Sequence, residues 1–397
     1  MITRTEFIKM CGLFGISLPF QTVLKSCENS SDAPIVLGDF DGSVLIIGAG
    51  AAGMATGYHL QQLGIDYQIL EANTSHGGRF RTNTSFTNFP ISLGAEWLHV
   101  SESVFTDLIN DESVQFSKIT KRYSPTDTVG LFQNGELMMG ELGNNPNNLI
   151  NQKFIDSSWF NFFEEYIVPS IRNQMRFNTQ ITSIDYSGDK VIATDRKGSE
   201  YTADKLVLTI PLKLLQLGQV SFTPELPGNK QDALHRANIW SGIKVFFKFS
   251  EAFYPTFLYF DDSQTNEGQR LYYDAAYGQN STDNILGLFS VGKQAEVYQN
   301  YSGDALRDYL LNELDEIFDG KASETFQGFL VQNWNEQPFA RAAYLEDDAS
   351  SSISRAMSES VEGKLYFAGC SYTKFDDWSS VHTAARSARD AVRELVR

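Results

Sequence analysis

The sequence is poor in the side chains that form disulfides and metal sites. Its 397 residues include three cysteines and five histidines. Cys11, Cys27 and Cys370 are far apart in the chain, so we expect neither a disulfide framework nor a Cys/His metal site. Basic residues are also scarce, since 32 Lys and Arg face 49 Asp and Glu for a net charge of −17. This balance argues against nucleic-acid binding. We expect the acidic surface mainly to keep the protein soluble, although it also suits attraction of cationic substrates.

Long apolar runs are missing as well, except near the N-terminus. Arg4 and Lys9 precede an apolar stretch at 10–24, which is too short to span a membrane and suits an export signal. Residues 1–27 resemble a bacterial lipoprotein signal that ends at Cys27, so we expect an exported protein, periplasmic or lipid-anchored. The alternative is an uncleaved amphipathic N-terminal helix on a cytoplasmic protein. The whole chain is long enough for two domains with sizeable cores.

The most informative pattern begins at residue 43. An apolar strand at 43–47 runs into a Gly-rich turn at 48–53, a helix at 54–63, a second apolar strand at 67–70 and then Glu71. This order of strand, turn, helix, strand and acid is typical of a Rossmann-like dinucleotide-binding unit. We therefore expect phosphates at the start of the helix, where unpaired N–H groups and the helix dipole favour anions.

Each glycine of the turn has its own use. Gly48 allows the tight turn, Gly50 lets the backbone approach a pyrophosphate, and Gly53 lets the helix lie close to the strand. Glu71 follows Gly53 by 18 residues, the distance at which a carboxylate accepts hydrogen bonds from ribose hydroxyls.

A second motif, Gly77-Gly78-Arg79, follows shortly after Glu71. Its glycines let the chain pass close to the same pyrophosphate, and Arg79 brings a guanidinium whose geometry matches phosphate. Together the two motifs resemble the flavin-containing amine oxidase family, which includes monoamine and polyamine oxidases, and its FAD-dependent relatives among desaturases and protoporphyrinogen oxidases. The resemblance implies FAD as the cofactor.

The resemblance continues in fragments along the chain and implies further FAD contacts. The segment at 334–344 matches the one that covers the flavin ring. Ala343 stands where relatives with covalent flavin have cysteine, so we expect non-covalent FAD. Gly369 matches the last FAD motif, but Cys370 replaces the glutamate that usually follows. The predicted cofactor-binding set is Gly48, Gly50, Ala51, Ala52, Gly53, Glu71, Ala72, Gly78, Arg79, Gly94, Ala95, Glu96, Trp97, Ile181, Trp334, Gly369, Cys370 and Val381.

Lys244 is the principal catalytic candidate. In a strand, residues 244, 246 and 248 share one face, so a lysine beside Phe246 on a partly buried face needs a partner. The family places a lysine here that bonds through a water to flavin N5, the hydride acceptor, and the resemblance implies this role for Lys244. Lys248 is expected to be an ordinary solvated lysine.

Further residues are candidates for the substrate side. The resemblance implies that Tyr344 forms one side of an aromatic slot that aligns a neutral amine. The family's second aromatic falls at Ser380, so Trp378 or Phe375 is expected to substitute for it. His99 resembles an active-site histidine of several polyamine oxidases. A lone histidine or tryptophan is more often structural, and that alternative stays open for His99 and Trp378.

The interleaving of strands and helices predicts an α/β fold with two discontinuous domains. We expect a Rossmann-like FAD-binding domain of the glutathione-reductase type from 41–99, 170–236 and 356–397. An α+β substrate domain is expected from 100–169 and 237–355.

Coarse secondary structure follows from the hydrophobic periodicity. The 101–169 stretch is expected to carry helical patches interrupted by loops, notably at 158–167. Elsewhere we expect a hairpin from 177–184 and 190–194, a second sheet from 243–249 and 270–290, and helices at 304–318 and 380–396.

These observations predict an FAD-dependent amine oxidase. As the resemblance implies, a neutral amine loses hydride from its α-carbon to flavin N5, the imine hydrolyses, and O2 reoxidises the flavin to give hydrogen peroxide. The expected partners are a small-molecule amine and O2. Two alternatives stay open: another FAD oxidoreductase, such as a desaturase or amino-acid oxidase, and a flavin-binding protein without catalysis.

Overall fold

A computed structural model describes residues 35–36, 38–111, 114–117, 120–144, 151–346, 350–374 and 379–397. The predicted export segment 1–27, with its candidate lipidation site Cys27, and the aromatic candidates Phe375 and Trp378 lie outside the described residues. Among the residues described, no helix has the length and apolar character needed to cross a membrane. In the same residues, no three His, Cys, Asp or Glu side chains are grouped to hold a metal ion.

A five-stranded parallel sheet forms around the first predicted strand. Its central strand buries Val44, Leu45, Ile46 and Ile47, which point alternately to its two faces. Continuous apolar strands of this kind are typical of parallel sheets that are covered on both sides. Across the sheet the strands are β10 (Met175–Arg176), β2 (Asp66–Leu70), β1 (Ser43–Ile47), β14 (Lys205–Leu208) and β21 (Leu365–Phe367).

Two helices cover one face of this sheet. They are α1 (Ala51–Leu63) and α11 (Val381–Leu395), which pack against each other. Val44 and Ile46 share a core with Ala55 of α1 and Ala388 of α11. The small side chains let the two helices approach closely, and both predicted helices are confirmed.

A four-stranded sheet covers the other face. Leu45 and Ile47 pack in one core with Ile184 and Val191. The predicted hairpin is confirmed by the antiparallel pairing of its two strands. The resulting order of helices, parallel sheet and second sheet agrees with the predicted α/β fold class. Across the second sheet the strands are β13 (Glu200–Ala203), β12 (Val191–Asp195), β11 (Ile181–Asp185) and β15 (Ser221–Thr223).

A seven-stranded sheet forms the second large unit, with all neighbours antiparallel except one parallel pair. Val245 and Leu288 of this sheet share a core with Leu310 and Leu314 of α8 (Gly303–Ile317). The strands and helix predicted between 243 and 318 are confirmed. Across the sheet the strands are β20 (Phe326–Asn333), β16 (Gly242–Phe249), β19 (Asn284–Gly292), β18 (Gly268–Asp274), β17 (Phe257–Phe260), β7 (Thr128–Gln133) and β8 (Glu136–Glu141).

The expectation of helices and loops across 101–169 is wrong in part. The helix expected at 158–167 is present as α3 (Trp159–Tyr166). Within 120–144 and 151–154, however, the chain forms strands, and two of them, β7 and β8, make a hairpin around Asn134 and Gly135. Both turn residues have positive φ, at 54° and 80°. An Asn-Gly pair is the preferred sequence for such a turn, so the signal was present in the sequence.

The division into two discontinuous domains stays a prediction. The structure adds that α2 (Ser103–Ile109) and α3 share the core of α1, through Phe105 and Trp159. The remaining elements are short. They are β3 (Thr82–Asn83), β4 (Ile91–Ser92), β5 (Trp97–Leu98), β6 (Thr120–Arg122), β9 (Gln152–Phe154), α4 (Val168–Ile171), α5 (Leu212–Gln216), α6 (Gly228–Arg236), α7 (Lys293–Gln299), α9 (Lys321–Thr325) and α10 (Ser350–Ser358).

Candidate active site

The Gly-rich turn joins the end of β1 to the start of α1. Gly48 has φ of 107° and donates its N–H to the Leu70 carbonyl at 2.8 Å. A Cβ at Gly53 would lie 1.9 Å from the Gly48 carbonyl oxygen, so only glycine lets the helix approach the turn. A Cβ at Gly50 would meet open space. Among the described residues no side chain caps α1 at Gly50, so the first turn leaves N–H groups available for an anion.

Glu71 fixes the turn from the end of β2. Its Oε2 accepts the N–H of Ala49 at 2.6 Å, and its Oε1 accepts the N–H of Asn73 at 2.8 Å. The side chain is buried. A carboxylate has about four lone-pair positions, so Glu71 keeps acceptor capacity for a ribose hydroxyl.

One cleft brings together nearly all of the predicted residues. It extends from the Gly-rich turn and Ile181 past Arg79 to Lys244, Trp334 and Tyr344. Gly53 is the one predicted residue in the described part of the chain that does not line it, because it packs beneath the turn. The predicted residues that line the cleft are Gly48, Gly50, Ala51, Ala52, Glu71, Ala72, Gly78, Arg79, Gly94, Ala95, Glu96, Trp97, His99, Ile181, Lys244, Trp334, Tyr344, Gly369, Cys370 and Val381.

Two guanidinium groups enter the cleft, of which the sequence analysis identified one. Arg79 donates to the Ala343 carbonyl and approaches the Cys370 sulfur at 3.6 Å. Arg81 also lines the cleft, and its Nε is buried with no hydrogen-bond partner among the described residues. Buried donors in native structures nearly always have partners, so an unpartnered one beside a cleft indicates a ligand. The signal for Arg81 was its position two residues after Arg79.

The loop at 92–96 is held against the cleft by two side chains. Trp334 Nε1 donates to the Leu93 carbonyl at 3.0 Å. A Cβ at Gly94 would lie 1.8 Å from the Arg79 carbonyl oxygen, which requires glycine. Lys244 contacts the same loop from β16, donating to the carbonyls of Ser92 at 3.1 Å and Gly94 at 3.0 Å.

Lys244 is buried, and Glu96 is its charged partner. The two side chains meet at 2.6 Å between Nζ and Oε2. Burial alone would raise the pKa of Glu96, but the charges of Lys244 and Lys153 hold it below its ordinary value. Burial lowers the pKa of Lys244, and the Glu96 carboxylate opposes that shift. Lys248 is half-buried and pairs with Asp283 at 2.7 Å, away from the lining of the cleft.

At the predicted substrate side, the cleft is lined by Tyr344 and His99, and His382 is buried near His99 without lining the cleft. Tyr344 is half-buried, with its ring 6.1 Å from that of Trp240, a neighbour the sequence analysis missed. His99 Nδ1 lies 2.7 Å from Asn151 Oδ1, and burial lowers the pKa of His99 and, more strongly, of His382. Both rings are therefore uncharged at neutral pH.

Ser380 explains why the expected aromatic is missing from its usual position. Its side chain accepts the N–H of Thr383 at 3.1 Å and caps the start of α11. Serine is a preferred N-cap residue, whereas an aromatic side chain cannot accept this bond. Phe289 of β19 lines the cleft as an apolar side chain that the sequence analysis missed, because only the pairing of β16 with β19 brings it there.

Comparison with known proteins is consistent with this geometry. The family described as flavin containing amine oxidoreductase matches residues 51–164 and 161–396. The chain belongs to this family. Lysine-specific histone demethylase 1B of Mus musculus is 22% identical over 412 residues, which cover 82% of this chain and 50% of that protein. The chain thus spans about half the length of the demethylase. Probable polyamine oxidase 4 of Arabidopsis thaliana is 22% identical over 389 residues, 77% of each protein.

Solved structures show the same fold. Cyclohexylamine oxidase from Brevibacterium oxydans superposes with a TM-score of 0.71 at 15% identity, covering 90% of this chain and 99% of that one. A redesigned putrescine oxidase superposes with a TM-score of 0.70 at 13% identity, covering 88% and 98%. These likenesses confirm the predicted fold class, and the family match confirms the predicted family.

Proposed function

We propose that the protein is an FAD-dependent amine oxidase. The observation that carries the proposal is the single cleft that joins the Gly-rich turn and Glu71 to Lys244, Trp334 and Tyr344. When bound, FAD supplies the hydride acceptor for an amine α-carbon and is reoxidised by O2 to give hydrogen peroxide.

The cofactor side of the cleft fits a dinucleotide. The open space at Gly50 and the uncapped start of α1 suit a pyrophosphate, and the unpartnered Nε of Arg81 supplies a buried cationic donor. Glu71 would accept from the ribose. Ala343 lines the cleft where covalent-flavin relatives have cysteine, so we propose that FAD is held without a covalent bond.

The substrate side favours an uncharged amine. Tyr344 and Phe289 offer apolar surface, and the buried His99 adds no charge near neutral pH. Desolvation on such surface disfavours a protonated amine, so the ammonium form must lose its proton before it binds. Tyr344 would orient the amine, and His99 bonded to Asn151 would border it.

An anaerobic reduction screen tests this proposal. Purified protein with FAD is mixed with cyclohexylamine, putrescine, longer polyamines and amino acids. We expect at least one amine to bleach the flavin absorbance, and air to restore it with release of hydrogen peroxide. Acid precipitation should leave the yellow colour in the supernatant if FAD is non-covalent. Bound flavin that no compound reduces would instead support the flavin-binding protein without catalysis.

We also propose that residues 1–27 direct export with lipidation at Cys27. The support is the basic and apolar pattern that ends in this cysteine. Labelling with a fatty-acid analogue in a bacterial host should mark the natural chain and not Cys27→Ala. Full-length, unlabelled protein in the cytoplasm would favour the uncleaved helix.

A further inference from the structure

Four buried polar side chains meet behind the cleft. Glu96, Lys153, Lys244 and Tyr273, here called the Glu96 cluster, are each less than a tenth exposed. Glu96 lies in the loop before β5, Lys153 in β9, Lys244 in β16 and Tyr273 in β18. Lys153 Nζ lies 3.1 Å from Glu96 Oε1, Lys244 Nζ lies 2.6 Å from Glu96 Oε2, and the Tyr273 hydroxyl also donates to Oε2.

Every N–H of Lys244 is already donated to protein. An ammonium has three donors and no acceptor. Lys244 uses them on Glu96, the Gly94 carbonyl and the Ser92 carbonyl. In this arrangement no N–H is left over to orient a water in the cleft.

Glu96 is the only carboxylate in contact with Lys244 and Lys153 among the described ion pairs. With both lysines protonated, the cluster carries one net positive charge. Without the carboxylate, two buried ammonium groups would face each other, with carbonyl groups, a hydroxyl and aromatic rings around them but no anion within ion-pair distance among the described residues. Breaking a buried ion pair in this way leaves an uncompensated charge, which is strongly unfavourable.

We propose that Glu96 is a positioning residue that fixes Lys244 as a fully bonded ammonium, so that Lys244 presents a fixed positive charge to the cleft in which FAD is proposed to bind. The position and charge of Lys244 are inferred from the geometry of the Glu96 cluster. Their effect on the flavin rests on the proposed FAD function.

Burial and neighbouring charges shift the pKa values of Lys244 and of the groups that face it. Burial lowers the pKa of Lys244, Glu96 opposes that shift, and the charge of Lys153 adds to it. Burial holds the pKa of Tyr273 well above its ordinary value, so this side chain stays a neutral donor. Further out, burial raises the pKa of Tyr123 and of Asp274, whose neighbours are Glu96 and Lys153 respectively.

The test is a pH titration of oxidised flavin bound to Glu96→Gln, an isosteric change that removes the charge. Loss of the neighbouring carboxylate should lower the midpoint of the Lys244 titration by about one to three pH units. Flavin absorbance should report the midpoint. Above that midpoint the flavin reduction potential should fall toward the value of Lys244→Met, because the positive charge has been lost.

Further variants test whether Lys244 is the group that titrates. Lys153→Met should move the midpoint upward, since a repelling charge is removed and the Glu96–Lys244 pair remains intact. Glu96→Asp keeps the charge and should restore much of the natural behaviour. Lys248→Met, on the same strand but paired with Asp283, is the matched control and should titrate like the natural protein.

Two results would overturn the proposal. One is an unchanged midpoint in Glu96→Gln, and the other is a titration in the double variant Glu96→Gln/Lys244→Met with the same midpoint as in Glu96→Gln. A purely structural Glu96 would change stability without moving this midpoint.

Failure to bind FAD would contradict the proposed function but still leave Glu96 testable in the apoprotein. A lysine with a lowered folded-state pKa holds fewer protons than in the unfolded chain, so the free energy of unfolding rises with pH up to its unfolded pKa. The stability deficit of Glu96→Gln should therefore shrink from pH 7 to pH 10. In the Lys244→Met background, Lys153 is the remaining lysine of the Glu96 cluster, so the deficit of Glu96→Gln should shrink less with pH, and an equal pH dependence in both backgrounds would overturn the proposal.

Discussion

A buried guanidinium nitrogen without a partner is costly unless a ligand binds it. Among the described residues, Arg81 Nε is in this position, and Arg81 lines the same cleft as Gly50. Arg79 is differently placed, because its guanidinium already contacts the Ala343 carbonyl and the Cys370 sulfur. Arg81 is therefore the arginine that has most to gain from an anionic ligand.

Arg81→Met should weaken FAD binding roughly ten- to hundredfold, because a hydrogen bond to a charged group contributes about 1.5–3 kcal/mol. Titration of apoprotein with FAD, followed by flavin fluorescence, measures the dissociation constant. The control is Arg307→Met on the exposed side of α8, which should bind FAD normally. An unchanged dissociation constant in Arg81→Met would show that Arg81 does not bind the phosphates of FAD.

For single residues, the sequence could predict which residues belong to the site but not which of them contact one another. Glu71 and Arg79 belong to local motifs, and the structure places both in the cleft. The contact between Glu96 and Lys244 joins residues 148 positions apart, so it exists only because the fold brings their elements together. Ser380 shows the reverse case, since a helix cap occupies a position where the family resemblance implied an aromatic.

Among the elements, α1 depends on two glycines for different reasons. Gly53 gives the helix access to the turn, whereas the space at Gly50 faces the cleft. Stability and cofactor affinity should therefore separate at these two positions.

Gly50→Ala should leave the apoprotein within about 0.5 kcal/mol of its natural stability and weaken FAD binding by about tenfold or more, or about 1.4 kcal/mol. Gly53→Ala should destabilise the apoprotein itself by about 1–3 kcal/mol, because its Cβ overlaps backbone. Thermal unfolding without FAD and FAD titration measure the two effects. Equal loss of apoprotein stability in both variants would refute the separation.

Lys230 of α6 connects α10 to the parallel sheet. Its Nζ donates to the carbonyls of Ala356 and Met357 at 2.9 Å each and lies 3.9 Å from the ring centre of Phe367 in β21. Burial lowers the pKa of Lys230 to about 7.

Between about pH 7 and 10, folded Lys230 holds fewer protons than a lysine in the unfolded chain, whose pKa is about 10.4. The free energy of unfolding should therefore rise with pH in this window, by up to about 1.4 kcal/mol per pH unit. Lys230→Met should remove this contribution, as measured by denaturant unfolding at several pH values. Lys197→Met, on an exposed turn, should keep it. A slope shared by all three proteins would assign the effect to other groups.

Prediction of the elements succeeded for continuous apolar strands and failed for strands of mixed composition. The apolar runs of β1, β2 and β16 are unambiguous. β7 and β8 contain glycine and polar residues, and β7 is stabilised by pairing with β17, far along the chain. The local signal for their hairpin was the Asn134-Gly135 turn.

For the molecule as a whole, FAD should act as a stabilising ligand. The cleft is lined by residues from the parallel sheet region and from the seven-stranded sheet, including Ile47, Ile181, Lys244 and Phe289. A dinucleotide that contacts both would bind the folded state and not the unfolded chain.

FAD at one hundred times its dissociation constant should raise the free energy of unfolding by about 2.7 kcal/mol. Calorimetry or thermal unfolding with increasing FAD measures the shift. Riboflavin, which lacks the pyrophosphate and adenosine, should stabilise far less at the same concentration. If FAD stabilised the protein no more than riboflavin does, the Gly-rich turn would contribute no binding energy.

The three-layer arrangement around the parallel sheet could be predicted as a class, because the Rossmann pattern is local and specific. The seven-stranded sheet could not be assembled from sequence, since its order combines strands from 128–141 with strands from 242–333. Pairing over such separations depends on the fold as a whole.

The loop at 92–96 is bonded to the side of the cleft that the seven-stranded sheet forms. Lys244 and Trp334, both from the seven-stranded sheet side, bond the carbonyls of Ser92, Leu93 and Gly94. Any displacement of that sheet would carry the loop with it, so these two walls of the cleft should move as one unit. We therefore expect differences in amine preference within this architecture to come from exchange of lining side chains and not from a change in the spacing of these walls.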